Sequence, residues 1–484
     1  MKKTIQLVCL IIFTLSACQP SGITFENAIC IENISTINPV DGLKEHQTII
    51  IKEGKIFQIS PSKELHLSRK NTIIDGTGKF LIPGLWDAHV HFSYLEELAP
   101  SMLDLFLVNG ITSVRDTGGE FEFVNKWKAK SFANPTTSPR LMMAGPLLDG
   151  IPNVYDGSDP GHPVLSVGLS SVEEVRNKVN ELDSLGVDFL KAYEMLSPEQ
   201  FKMITQLARE KGLKVSGHVP LSMDVISASN AGLNSMEHLR NLELSCASNA
   251  DELLLQRQQL LESEKSELGG VLRSKIHQAQ RSAAIKNFDS KKADEVLAVL
   301  AKNETWQIPT LTLSTSFANR PFESNVWQDG FKYLPESIEN QWKMDIEEIK
   351  SSEVSEFDKE YAQWMMDMTG RIHDTGIEIM AGTDCPIFFL TPGQSLHKEL
   401  EKLVETGLSP LEAIKAATLN PAKYFNLENE LGSIKANMWA DLVILDANPL
   451  ENISNTTKIN AVIKQGNLIS RSQLDQILAK LSSN

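Results

Sequence analysis

Pro83-Gly84-Leu85-Trp86-Asp87-Ala88-His89-Val90-His91 is an apolar run that ends on two histidines. Successive side chains on a strand point to opposite faces, so a spacing of two turns both imidazoles to the same side, where they can chelate one cation. From Leu81 to His91 the chain is apolar nearly throughout, as a strand buried on both faces must be. Comparable runs follow at Ile111 to Asp116, Arg140 to Leu147, Val187 to Tyr193, Lys214 to Val219, Gly232 to His238, Trp306 to Leu311 and Ile377 to Asp384. Stretches with helical periodicity separate them. One opens at Ser197-Pro198-Glu199-Gln200 and continues to Lys211, with Ser197 placed to cap it and Pro198 suited to its first turn. Eight strands alternating with helices predict an α/β fold, a (β/α)8 barrel of the TIM type.

On either side of these runs the pattern changes. Residues from Thr24 to about Ile82 alternate short β-branched runs with turn signals, as in Thr48-Ile49-Ile50-Ile51 and Lys55-Ile56-Phe57-Gln58-Ile59. A second β-rich patch covers Ala440 to Asp446 and Ala461 to Lys464, with Gly466-Asn467 as a turn. The two patches are expected to pair into one small β-sandwich, residues 23–80 plus 430–470, around a barrel of residues 81–429. Helical insertions are expected around residues 245–360, where Asp251 to Lys302 is charged and Phe317 to Glu360 is rich in aromatic and acidic residues. Trp327, Phe331, Tyr333 and Trp342 either wall a substrate pocket or pack an outer helix layer.

Lys2-Lys3 precede an uncharged apolar run from Ile5 to Leu15, too short to span a bilayer as a helix and of the length of a signal-peptide core. It closes on Leu15-Ser16-Ala17-Cys18, which resembles the bacterial lipobox. Cleavage there leaves Cys18 as the first residue, carrying the lipid; the alternative is an ordinary secretory signal cut at the same place. Residues 1–18 therefore stand outside the fold, and the protein is expected to be exported and held at a bacterial membrane, on its periplasmic or outer-surface face. Cys30, Cys246 and Cys385 are too scattered to form a disulfide framework. A formal charge of −16 without clustered Lys and Arg argues against nucleic acid as a partner. The oligomeric state is open, a homo-oligomer included.

Reactive groups of a parallel barrel gather where the C-terminal ends of its strands meet the loops. His89 and His91 end the first run, Lys191 the fourth, His218 the fifth, His238 the sixth and Asp384 the eighth, so all six share one rim. A single buried histidine is more often structural than a ligand, but the joint pattern is that of a metal site. Nitrogen and carboxylate donors suit zinc, with manganese, iron or cobalt open from ligand type alone. An ammonium beside metal cations is strongly disfavoured, so Lys191 is expected to be neutral or to carry carbon dioxide as a carbamate, unless it pairs with Asp188 or Glu194 instead. His46, His66, His277, His373 and His397 lack strand-end positions and are expected at the surface.

Pro83 to His91, followed by the strand-end Lys, His, His and Asp in that order, resembles the amidohydrolase superfamily, and the flanking β patches match its usual sandwich. Ser113-Val114-Arg115-Asp116-Thr117-Gly118-Gly119, Gly145-Pro146-Leu147-Leu148 and Leu213-Lys214-Val215-Ser216-Gly217-His218-Val219-Pro220 are similar to its imidazolonepropionase-like branch, which includes secreted and lipid-anchored Xaa-Pro dipeptidases. The resemblance implies two divalent ions, one held by His89, His91 and Asp384, the other by His218 and His238, with carboxylated Lys191 and a hydroxide bridging them. It implies hydrolysis of an amide bond, such as that of a dipeptide, with Asp384 as general base and acid. Imidazolonepropionase itself is disfavoured, since it uses a single metal without the bridging lysine. In this branch a Gly-His element of the third loop can contact the substrate carbonyl, which points to His162 in Asp159-Pro160-Gly161-His162 unless that turn is merely solvated. Tyr193, two beyond Lys191, and Arg115, able to pair with a carboxylate, are further substrate-binding candidates or else structural. The same machinery also serves cyclic amides, lactones and carbamates, and a binding lipoprotein without catalysis is the reading from another class.

Overall fold

The computed structural model describes residues 23–68, 70–158 and 161–482. The expected signal segment and Cys18 lie outside the described residues. Among those described, no helix is long and apolar enough to cross a membrane.

The run from Leu81 to His91 is two strands rather than one. Phe80–Pro83 pairs antiparallel with Leu442–Leu445 in the small sheet, and Leu85–Val90 starts the barrel beside Ile111–Asp116. Gly84 stands between them, where a Cβ atom would run into the Thr112 side chain, so the chain changes sheets at the residue that has none. Arg140–Met143 continues the parallel order, and the backbone N–H of Asp188 donates to its end at Met143 O (2.9 Å). Leu190–Ala192, Val215–Gly217, Ser235–Glu237 and Trp306–Ile308 follow as parallel neighbours. These strands are shorter than the apolar runs predict because the chain leaves the ladder just where the polar residues begin.

The third run also divides: after Met143 the chain turns at Gly145 (φ 73°) and resumes as Leu147–Asp149, paired with Ser166–Gly168. The eighth run forms no regular ladder. It closes the barrel by scattered bonds to both neighbours, Gln307 N–H to Glu378 O (3.1 Å) and Met380 N–H to Gln307 O (2.9 Å) on one side, Ala88 N–H to Ala381 O (2.9 Å) and Asp384 N–H to His89 O (2.7 Å) on the other. Asp87 reinforces that seam, accepting from the Thr383 hydroxyl (2.7 Å) and backbone N–H (3.0 Å).

The terminal β patches join as expected into one mixed sheet, in which Ile31, Ile49 and Ile51 pack in the same core as Leu442, Ile444 and Ile463. Pro198–Lys211 begins with the expected cap, Ser197 accepting from Gln200 N–H while Gln200 reaches back, and ends at left-handed Gly212 (φ 73°). After the sixth strand the chain inserts Ala250–Ser263 and Gly269–Lys286, and after the seventh Glu336–Lys350. Trp327, Phe331 and Trp342 are buried in this outer layer, Trp342 lying 5.1 Å from Phe331 and 5.8 Å from Phe389, and Tyr333 packs on the same core. The outer-layer reading of these four aromatics is the one realised; the walls of the cleft are made by other rings.

Candidate active site

The six strand-end residues converge. His89, His91 and Asp384 place one donor atom each within 4.8 Å of one another. Asp384 Oδ1 lies 3.2 Å from His89 Nε2 and 3.1 Å from His91 Nε2, and its Oδ2 lies 3.6 Å from His238 Nε2. The His238 ring is 4.7 Å from that of His89 and 5.0 Å from that of His218. Backbone geometry aims them: His238 (φ 56°) and Asp384 (φ 68°) adopt left-handed conformations that end their strands and turn the side chains into the barrel mouth. His218 follows Gly217, where a Cβ would collide with the Ala192 carbonyl.

All four imidazoles present Nε2 to the centre because Nδ1 is engaged elsewhere. His89 Nδ1 meets Glu237 (2.6 Å), His91 Nδ1 the Gly118 carbonyl (2.8 Å), His218 Nδ1 Glu194 (2.6 Å) and His238 Nδ1 the Thr310 hydroxyl (2.7 Å). Such outer partners fix ring orientation and tautomer and raise the basicity of a ligating nitrogen. Glu237 also takes Arg115 (2.8 Å) and Ser216. Burial pushes the Glu237 carboxyl up, but Arg115, Lys191 and His89 outweigh it and hold the group well below the usual carboxylate range. Glu194 is likewise kept ionised against burial by Arg240, His277 and His218. Both glutamates adjoin residues picked out from the sequence, His238 and Tyr193, but alternation along a strand gave no reason to read them as partners of histidines on neighbouring strands.

His277 is a correction. Expected at the surface, it is buried on the inserted helix Gly269–Lys286, 2.6 Å from the second oxygen of Glu194. His397, also expected at the surface, is buried as well, held by Thr456 (2.9 Å) and the Asn109 carbonyl, and does not line the cleft of the rim residues.

Lys191 is buried, and among the described residues its Nζ has no hydrogen-bond partner. Asp188, one alternative partner, is bound instead to Lys128 (2.7 Å), and Glu194 is saturated by two histidines. Burial, countered in part by Glu237, brings the Lys191 ammonium down to about 8. Burial also brings His218 down to about 3 and holds His238 well below its ordinary value, so both rings are neutral with a free lone pair. Asp384 is held well below the carboxylate range because His89 and His238 outweigh its burial. Neutral imidazoles, an ionised carboxylate and an orphaned amine around one point are a donor set that fits divalent metal.

A cleft of about 240 Å³ opens in front of these residues, lined further by Tyr94, Tyr155, Tyr193, Arg240, Arg273 and Phe317. Tyr193 lies tilted against His218 (ring centroids 4.4 Å apart) and accepts from Arg273 (3.2 Å), whose guanidinium lies over the Tyr155 ring. Neither arginine was singled out from the sequence: Arg240 stands two beyond His238, and Arg273 lies in the charged stretch expected only to be helical. His162 is half-buried with its ring 5.4 Å from that of Tyr155, one residue removed from the cleft lining. Arg115 is the second correction. It is fully buried between Phe189 and Tyr424 and bound to Glu237 and the Ala88 carbonyl, so its carboxylate belongs to the protein and not to a substrate.

The model of the family described as "Amidohydrolase family" matches residues 80–469. The chain belongs to the amidohydrolase family. Among solved structures, a Xaa-Pro dipeptidase with methionine bound in its active site matches with a TM-score of 0.65 and 19% identity, over 92% of this amidohydrolase and 100% of that chain. Bottromycin amidohydrolase gives 0.67 and 20%, over 94% and 90%, and the ochratoxinase of A. niger 0.62 and 20%, over 92% and 96%. At these identities the likeness establishes the barrel with its small sheet. Curated relatives include an adenine deaminase of Clostridium botulinum (strain Loch Maree), 31% identical over 104 residues, 22% of this chain and 16% of that protein. Another, from Desulforamulus reducens, is 20% identical over 419 residues, 86% of this chain and 54% of that protein. The matched part thus spans about half or less of these relatives.

Proposed function

We propose that this amidohydrolase is a metal-dependent hydrolase of amide bonds, acting on dipeptides. The observation that carries the reading is the convergence of His89, His91, His218, His238 and Asp384 around the orphaned Lys191, before a cleft that holds two arginines.

His89, His91 and Asp384 would hold one ion, His218 and His238 a second, with Lys191 as carbamate between them; the donor set suits zinc. Bound ions would supply Lewis acidity toward the scissile carbonyl and make water acidic enough to attack at neutral pH. The residues do the rest. Lys191, deprived of an ion-pair partner, has its free amine accessible near neutral pH; carbon dioxide adds to Nζ, a proton leaves, and the amine becomes an anion. Ionised Asp384 takes the proton of the attacking water and delivers it to the departing amine nitrogen. Arg240 and Arg273 offer planar donors for a substrate's terminal carboxylate, the role expected of Arg115. Tyr193 and the Tyr155 ring against His162 close the wall beside them.

The test is a panel of dipeptides, many of them Xaa-Pro, assayed with and without chelator. Chelator-sensitive release of free amino acids is expected. Silence across the panel, with turnover of lactones, cyclic amides or carbamates, would transfer the same site to those substrates.

Export with a lipid on Cys18 is part of the same proposal, supported by the Leu15-Ser16-Ala17-Cys18 pattern. Mass spectrometry of the mature N-terminus decides it, with Cys18→Ser expected to release the protein from membranes.

A further inference from the structure

We infer that the outer face of the small sheet rests directly on the lipid surface, so that the anchored enzyme lies against the membrane in one orientation. The inference depends on the reading of Cys18 as the lipidated residue.

Side chains alternate across the first strand, Ala28–Asn38, and its neighbour Gly42–Lys52. Ile31, Ile49 and Ile51 point inward to the core shared with the C-terminal strands. Cys30 and Ile50 point the other way, and only a thin satellite cluster of Ala28, Leu65, Phe25 and Leu67 covers them. Around that cluster stand large apolar side chains in water: Ile23 (51% exposed), Phe57 (51%) and Ile73 (38%). They form one patch. Ile23 pairs with Leu67, the Phe57 ring lies 6.1 Å from that of Phe25, and Ile73 sits opposite Cys30 in register. Isolated exposed hydrophobics are ordinary, but a contiguous group on a thinly covered sheet face marks a surface that meets something apolar.

The occupant follows from the chain outside the described residues. Only Gln19, Pro20, Ser21 and Gly22 separate Cys18 from Ile23. Fully extended, that tether reaches about 18 Å. Ile23 is itself a member of the patch, so the anchor delivers this face to the lipid and cannot lift the domain away. Along the same segments Glu26, Glu32, Glu53 and Glu64 are balanced by Lys52, Lys63, Arg69 and Lys70, which leaves no cationic excess for anionic headgroups. Contact is therefore by insertion of Phe and Ile at the boundary between headgroups and acyl chains, not by charge.

The test uses the full chain, purified with its anchor and placed in phosphatidylcholine vesicles, carrying an environment-sensitive fluorophore at Phe57→Cys, Ile73→Cys or Phe132→Cys. Cys30, Cys246 and Cys385 are buried and spared by the label, and Phe132, 87% exposed on a barrel helix, is the control. Blue-shifted emission and quenching by spin-labelled lipid at positions 57 and 73 but not 132, unchanged by high salt, is the result expected. Quenching at none or at all three, with lipid found on Cys18, overturns the docking face and leaves the anchor standing. Absence of lipid on Cys18 overturns both.

Discussion

The rim of the barrel and the inserted helix Gly269–Lys286 face the same cleft with different kinds of residue. The rim supplies the four histidines, Lys191 and Asp384 from strand ends, each histidine held through its Nδ1 by a hydrogen bond to a neighbouring strand or loop. The helix supplies Arg273, which reaches the cleft over Tyr155, and His277, which reaches it only through Glu194. On the proposed reading, reaction chemistry thus rests on the strand ends of the barrel, and recognition on a part added between two strands. Substitutions on the two sides should fail in different ways.

The largest effect is expected on the rim. Asp384→Asn removes the proton carrier while keeping an oxygen donor, so kcat should fall by about a thousandfold, within the span of general acid and base contributions. Substantial metal should stay bound, read by elemental analysis of the same sample. Turnover at the parental rate would refute the assignment of Asp384.

One step behind the rim, Glu237→Gln leaves His89 without its anionic partner and Arg115 without its counter-ion in a fully buried place. Loss of an outer partner of this kind costs about 10- to 100-fold in metal affinity or activity. A competition titration with a chromogenic chelator should show the weakened site, and added metal should restore part of the rate. Parental affinity would reduce Glu237 to a structural counter-ion for Arg115.

On the helix the signature changes. Arg273→Ala should raise KM for a dipeptide by about tenfold with kcat nearly intact, since a carboxylate contact made equally in ground and transition states moves KM alone. A dipeptide amide, which has no terminal carboxylate, should be cleaved alike by parent and variant. A drop in kcat with KM unchanged would put Arg273 on the chemical side and erase the division between rim and insertion.

The same division explains what could be read from sequence. The candidate ligands were legible because chemistry-bearing residues ended apolar runs, and because a spacing of two joined His89 to His91. The eighth run was legible as composition although its backbone makes only scattered bonds, since burial sets composition whether or not a ladder forms. The inserted stretch was legible as helical, but the residues it turns inward were not, because its buried face is partly polar. His277 and Gln280 lie inside with Leu272 and Ile276, and Gln280 is bound to buried Arg257 (2.8 Å), so the amphipathic pattern that marks a packed helix is missing. Trp327 and Trp342 left two readings open, as aromatic rings fill outer layers as readily as they wall pockets, and the outer layer is where they lie.

His277 gives the smallest and most discriminating effect. It is neutral, because burial and Arg281 hold it well below its ordinary range, and it donates from Nε2 to Glu194. Glu194 keeps His218 and Arg240 when His277 is replaced by leucine, so the ring of His218 stays aimed and the metal should stay bound. What is lost is one charge-assisted hydrogen bond in a buried place, worth about 1–3 kcal/mol. Thermal melting should register that loss by a few degrees, with kcat within a few-fold of the parent. If kcat and metal content instead fall together as far as in Glu237→Gln, the inserted helix is holding the ligand and not only the cleft wall, and the rim extends one layer further than its strands.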